Sequence, residues 1–255
     1  CTDIYPLHQT PSLNGPLLDI TGLDELRGIS AVDGWRRFGD ATSWTDILRA
    51  DLPSAYGGLK AAAREIGGVQ IQASGTIGGN LCTASPAGDS IPCLMTLNAE
   101  IELVSHRGAR RLPLAEFLTG PRQTACDPDE LVTAVYVPSD AETGVAGFEK
   151  LGARRYLVIS IAMTAARLSI DNRRIEEAAI SVGACAPVAV RLADIEAGLR
   201  GMACDMAADF IRDSRSGIIA DLSPIDDVRG TAGYRRDAAA EIVARLVERL
   251  CGDFR

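Results

Sequence analysis

Gly75-Thr76-Ile77-Gly78-Gly79-Asn80-Leu81-Cys82-Thr83-Ala84-Ser85-Pro86-Ala87-Gly88-Asp89 carries more potential chemistry than any other stretch of this 255-residue chain. The paired glycines leave backbone N–H groups bare enough for a phosphate to approach closely. Three hydroxyls (Thr76, Thr83 and Ser85), the Asn80 amide and the Asp89 carboxylate stand around them. The set suits a diphosphate attached to a polyhydroxyl sugar. Thr76 and Ser85 can donate to phosphate oxygens, Asn80 both donates and accepts, and Asp89 is a good acceptor for sugar hydroxyls. A Rossmann fingerprint would need G-x-G-x-x-G opening a long helix, with an acidic residue about 20 positions on. A P-loop would need a lysine after its glycines. Neither pattern is present. An ordinary glycine-rich turn is the bland alternative, but so dense a polar and glycine block is expensive in chain entropy without a ligand to order it.

Other reactive residues are sparse. His8 and His106 are the only histidines, and neither has ligand spacing. The seven cysteines include no C-x-x-C pair, so they fit neither a zinc site nor an iron–sulfur cluster. They read as free thiols in a reducing compartment, which points to the cytoplasm. Glu100 with Glu102, and Glu176 with Glu177, read as solvated faces, and Trp35 and Trp44 as core. A net charge of −8 and a pI near 4.9 argue against nucleic acid or an anionic membrane as partner. No run reaches the ~18 apolar residues of a membrane span. With 47% hydrophobic and 24% charged residues, the composition is that of a soluble globular protein.

The elements that must position the block are α+β, with no βαβ periodicity. Leu17–Ile20 and Trp35–Gly39 read as strands, and Leu23–Leu26 as a helical turn. Ser43 and Thr42 stand as hydroxyl caps ahead of a helix through Ile47. Residues 55–67 carry Leu59, Ala62, Ala63 and Ile66 on one helical face. The block itself reads as a loop, followed by a helix from about 90–92 whose N-terminus points back at it. Ile101–Val104 and Arg111–Leu114 form a hairpin around Gly108, and Leu131–Val137 is the clearest strand. Pro138–Gly147 is the expected boundary between two domains. Ser160–Ile170 and Ala179–Val182 are then strands, residues 192–200 and 203–213 helices, and residues 235–250 a last amphipathic helix.

The string TIGGN…ASPAGD resembles the FAD-binding loop of the molybdenum hydroxylase flavoproteins, and the likeness runs along the whole chain. Cys1-Thr2-Asp3 is similar to the end of the family's first FAD loop, with cysteine in place of a glycine. Because Cys1 is not a natural start, part of that first domain is expected to precede it. Glu25–Ile29, Gly39–Ile47, Ile66–Gly75, Glu116–Gly120, Thr124–Leu131, Phe148–Ile161 and Gly183–Arg191 continue the match in order. The resemblance implies an FAD-binding domain of the p-cresol-methylhydroxylase type over residues 1–140. A small α+β domain of the CO dehydrogenase flavoprotein type then follows over residues 146–255. It implies FAD contacts at Thr2, Asp3, Thr76, Ile77, Gly78, Gly79, Asn80, Thr83, Ser85, Asp89 and Cys126. It also places Lys150 near the carbonyl edge of the flavin, where a cation would favour charge on the reduced ring.

The resemblance implies a molybdenum cofactor and [2Fe–2S] clusters on partner subunits, or on parts of this polypeptide outside the sequence, with FAD passing electrons to NAD or another acceptor. The Val69–Asp89 and Lys150–Met163 blocks resemble those of stand-alone xanthine dehydrogenase FAD subunits, which makes xanthine the expected substrate. A flavin-empty structural subunit and a self-contained flavin reductase or oxidase are the competing readings.

Overall fold

A computed structural model describes residues 2–3 and 17–252. Two sheets divide the chain. The first has strand order β1-β2-β7-β3-β4, with every neighbouring pair antiparallel. Its strands are β1 (Ile29–Val32), β2 (Trp35–Gly39), β3 (Glu100–Ser105), β4 (Gly108–Pro113) and β7 (Leu131–Pro138). A two-stranded ribbon, β5 (Leu118–Gly120) with β6 (Gln123–Thr124), sits between β4 and β7 in sequence. The second sheet runs β11-β10-β9-β8, again antiparallel. It is built from β8 (Val145–Leu151), β9 (Ala162–Asp171), β10 (Arg174–Gly183) and β11 (Val190–Arg191).

Among the described residues, six α-helices accompany the first sheet: α1 (Trp44–Arg49), α2 (Gly57–Glu65), α3 (Val69–Ser74), α4 (Ile77–Thr83), α5 (Ser90–Thr96) and α6 (Leu114–Phe117). Four more accompany the second: α7 (Ala193–Leu199), α8 (Ala207–Asp213), α9 (Arg215–Asp221) and α10 (Ala232–Gly252). The α+β class therefore stands as expected. So do the hairpin at Gly108, the strand at 131–137 and the long last helix. Ser43 caps α1 in a full capping box with Asp46, which satisfies two of the helix's orphan donors. Trp44 is buried in the core, whereas Trp35 is only half-buried and packs edge-on against Tyr136.

Four expectations need correction. Leu17–Ile20 forms no strand; it is irregular chain, and Leu17 and Leu18 are exposed. Strand β8, not among the expected elements, begins inside the 138–147 boundary segment. Gly144 and Gly147 look like linker residues but serve close packing: a side chain on Gly147 would strike Leu246 of α10. Strand β10 begins at Arg174 rather than near 179. The glycine block also folds differently, as a short helix, α4, rather than a loop.

Strand β9 shows how the two halves join. Its alternate residues Ala162, Ala166 and Leu168 enter the core shared with α10, while Met163 and Ala165 enter the core around the first sheet. Arg167 is buried, and its Nε donates to Thr96 O at 3.0 Å, at the C-terminal end of α5. Arg191 Nη1 donates to Met95 O of the same turn at 2.7 Å. A positive charge is well placed there, because unpaired carbonyls collect at a helix C-terminus. Gly57 and Gly58 let α2 lie directly on β8: a Cβ on either would sit 2.5 Å from Ala146 O or 2.9 Å from Gly147 O. The second sheet thus grips both α2 and α5, which flank the glycine block.

Candidate functional site

Helix α4 divides the block's residues by face. Thr76, Gly79, Asn80 and Thr83 follow an i, i+3, i+4, i+7 spacing, so they share one side of the helix. That side is outward: Gly79 is exposed, and Thr76, Asn80 and Thr83 are half-buried. Ile77, Gly78 and Leu81 form the opposite, buried face. The Ile77 side chain is core, and a Cβ on Gly78 would overlap the Asp40 carboxylate.

The open nest of N–H groups does not form. Ile77 N–H donates to Thr42 O, Gly78 N–H to Asp40 O, Gly79 N–H to Thr76 Oγ and Asn80 N–H to Thr76 O. With those donors occupied, contact with a ligand falls to side chains and to the bare Gly79 Cα. Thr76 Oγ accepts from Gly79 and keeps its own proton to donate. Thr83 Oγ bonds Gly79 O at 2.9 Å and Asp3 Oδ2 at 3.1 Å. Asp3 also pairs with Arg122 at 3.2 Å, so Thr83, Asp3 and Arg122 meet at the C-terminal end of α4. Thr2 lies beside Asp3, half-buried. Arg122 is a cation that sequence reasoning missed, because nothing local marks a residue of the β5–β6 turn as a neighbour of Asp3.

Ala84 ends α4 in the left-handed region (φ 45°, ψ 41°), a conformation rare for residues with a Cβ. The chain then turns through Ser85, whose hydroxyl accepts from Ala87 N–H at 3.3 Å. Asn80 is tied to the next helix through Ser90 Oγ, which donates to its Oδ1 at 2.6 Å. Asp89 is the N-cap residue of α5, with no side-chain capping bond. The Asp89 side chain therefore leaves the first N–H groups of α5 uncapped.

That carboxylate is committed elsewhere. Lys150 Nζ meets Asp89 Oδ2 at 2.6 Å, and each side chain is only 8% exposed. Ser160 Oγ, fully buried, donates to Asp89 Oδ1 at 2.7 Å. Burial pushes the Asp89 carboxyl upward from its ordinary value, against the opposing pull of Lys150 and Ser160. Lys150 belongs to β8 and Ser160 to the approach to β9, so this joint ties the block to the second sheet. Ser160 O in turn accepts from Arg229, which pairs with Asp227 at 2.6 Å.

Beside Lys150 lies a cleft of ≈ 470 Å³ between α2 and β8, lined among others by Glu65, Phe148, Arg154 and Arg155. Arg154 and Arg155 are exposed and give the cleft a cationic rim. Cys126 is half-buried against the first core; its Sγ donates to Glu130 O at 3.5 Å, and burial raises its thiol. Cys1 and His8 lie outside the described residues, and His106 is an exposed partner of Asp129. The six described cysteines are free. Among the described residues no cluster of His, Cys, Asp and Glu is arranged for a metal, and no helix is long and apolar enough to cross a membrane.

The model for the FAD binding domain in molybdopterin dehydrogenase matches residues 2–140. The model for the CO dehydrogenase flavoprotein C-terminal domain matches residues 148–250. The xanthine dehydrogenase FAD-binding subunit of Escherichia coli O157:H7 is 30% identical over 240 residues, covering 92% of this chain and 81% of the relative. The glyceraldehyde dehydrogenase medium chain of Sulfolobus acidocaldarius is 31% identical over 222 residues, covering 87% and 78%. Among solved structures, cyanide-inactivated Cu,Mo-CO dehydrogenase superposes with a TM-score of 0.80 at 26% identity, covering 90% of this chain and 79% of that one. The chain belongs to the FAD-binding medium-subunit family of the molybdenum hydroxylases.

Proposed function

We propose that this chain is the FAD-binding electron-transfer subunit of a xanthine dehydrogenase-like molybdenum hydroxylase, with FAD held against the outward face of α4. One observation carries the reading. Thr76, Gly79, Asn80 and Thr83 turn a continuous polar, sterically bare face outward, and Thr83 continues it into the Asp3–Arg122 pair. In this reading Thr2, Asp3, Ser85 and Cys126 flank the cofactor. Ile77 and Gly78 support it from behind.

Bound there, FAD supplies electron exchange between the [2Fe–2S] clusters of one partner subunit and a soluble acceptor, for which NAD is our choice. The molybdenum cofactor belongs to a further partner subunit. Lys150 acts as a fixed cation. Asp89 and Ser160 leave its ammonium little freedom, so no reorganisation is needed when negative charge develops nearby. Arg154 and Arg155 give the adjoining cleft the charge to receive an anionic dinucleotide. The free thiols support a cytoplasmic location.

The test is an anaerobic absorption spectrum of the assembly purified with its partners. Flavin bands that bleach with xanthine and return with NAD⁺ support the whole reading. Bands that ignore xanthine remove the substrate and keep the flavoprotein. No flavin after added FAD leaves a structural subunit.

A further inference from the structure

Asp40 is the buried carboxyl that nothing above employs. It follows β2, with its side chain folded inward and the residue only 4% exposed. Its Oδ1 is completely buried and has no hydrogen-bond partner. The backbone pins it on both sides: Asp40 N–H donates to Thr133 O at 3.0 Å, and Asp40 O accepts from Gly78 N–H at 3.1 Å. Thr133 is the extra residue of β7 where the register against β3 shifts between Glu102 and Leu103. The Asp40 carboxyl rests on the Cα of Gly78, in the space a larger residue would fill, one position before exposed Gly79.

Among the described residues the surroundings offer no compensating charge. From α4, Cys82, an exposed thiol, is the titratable group near enough to feel the charge of Asp40, with Cys126 beyond it. Strand β7 contributes only the Thr133 backbone. The turn at Asp24–Leu26 contributes the Leu26 carbonyl, which accepts from Ala41 N–H. Among the described residues no lysine, arginine or histidine pairs with Asp40. An ionised carboxylate here adds negative charge immediately behind the face assigned to a diphosphate.

We propose that Asp40 is a proton-linked cofactor-binding residue: its carboxyl must be protonated for the flavin dinucleotide to seat tightly on α4, so binding FAD takes up a proton. The inference rests on the FAD reading given above. Burial alone already lifts this carboxyl to about 6, so the proton is within reach near neutrality. A diphosphate nearby raises it further. Linkage then requires that affinity fall as pH rises above the free-state value, by up to about tenfold per pH unit. The diphosphate diester of FAD has no group that titrates in this range.

The experiment uses the assembly stripped of FAD and titrated with FAD by isothermal calorimetry between about pH 5.5 and 8.5, in buffers of different ionisation enthalpy. The expected result is net uptake of up to about one proton per FAD near pH 7, with weakening affinity at higher pH. Asp40→Asn is expected to flatten the profile and to bind FAD at least about tenfold tighter than the parent near pH 8. Comparing the two subtracts every other titrating group. No proton uptake in the parent protein, or parallel profiles for parent and variant, overturns the inference. Should Asp40→Asn fail to fold, Asp40→Ala takes its place in the comparison. Absence of FAD binding by the parent at every pH instead overturns the FAD reading on which it rests.

Discussion

Replacing Lys150 by methionine keeps most of its length and removes only the ammonium. Asp89 is then left as a buried carboxylate with Ser160 Oγ as its one side-chain donor. Breaking a buried pair from one side costs about 3–5 kcal/mol, and the surviving Ser160 bond offsets about 1 kcal/mol of that. The expected loss is therefore about 2–4 kcal/mol near pH 7. At a urea dependence of about 3 kcal/mol per molar, the midpoint falls by about 1 M. Adding Asp89→Asn removes the stranded charge, so the double variant should recover at least half of the loss.

The pH dependence has a definite sign. Burial already raises the folded-state Asp89 carboxyl, and losing Lys150 raises it further. Between the unfolded and folded values the native state binds the extra proton, so stability falls as pH rises through that window. The Lys150→Met deficit must shrink on acidification. The assay is a double-mutant cycle in urea at several pH values. A single-variant loss below about 1 kcal/mol, or a double variant as weak as the two losses summed, refutes the assignment of a buried, interdependent pair.

Two further outcomes can be measured the same way. Gly78→Ala places a methyl into the Asp40 carboxylate and should cost about 2–3 kcal/mol, most of which a second change, Asp40→Ala, restores. Arg167→Met removes the buried bond to Thr96 O and should cost about 2 kcal/mol, whereas Glu177→Gln should cost less than about 1, because Glu177 is 40% exposed. Equal losses for the two would show that the surface end of the pair, rather than the α5 end, holds the sheets together.

The block's chemistry was legible because the residue types lie close in sequence, but its shape was not. Two adjacent glycines each weaken a helix by about 1 kcal/mol, so Ile77–Thr83 does not read as helical. Thr42 O, Asp40 O and the Thr76 hydroxyl supply the compensating bonds. Two of these come from a segment far away in sequence. The Lys150–Asp89 pair spans 61 positions and Ser160–Asp89 spans 71, distances no local pattern encodes. Asp40 follows a recognisable strand, yet its burial depends on the missing Cβ of Gly78, 38 positions away. Strand β8 escaped notice because Gly144 and Gly147, needed for close packing, resemble linker residues. Alternation in β7 and the Ser43–Asp46 box were readable because each is a short-range rule.

The central claim is that the outward face of α4 seats FAD, and the direct measurement is FAD content per chain in assemblies carrying wild-type and Gly79→Val chains. Gly79 is exposed, and its Cβ position approaches only Thr76 Oγ, at 3.0 Å. A valine there fills the ligand face and leaves the core untouched. One FAD per wild-type chain, with a folded Gly79→Val assembly that has lost it, is the expected result. Full FAD content in the Gly79→Val assembly, or none in the wild type, would contradict it.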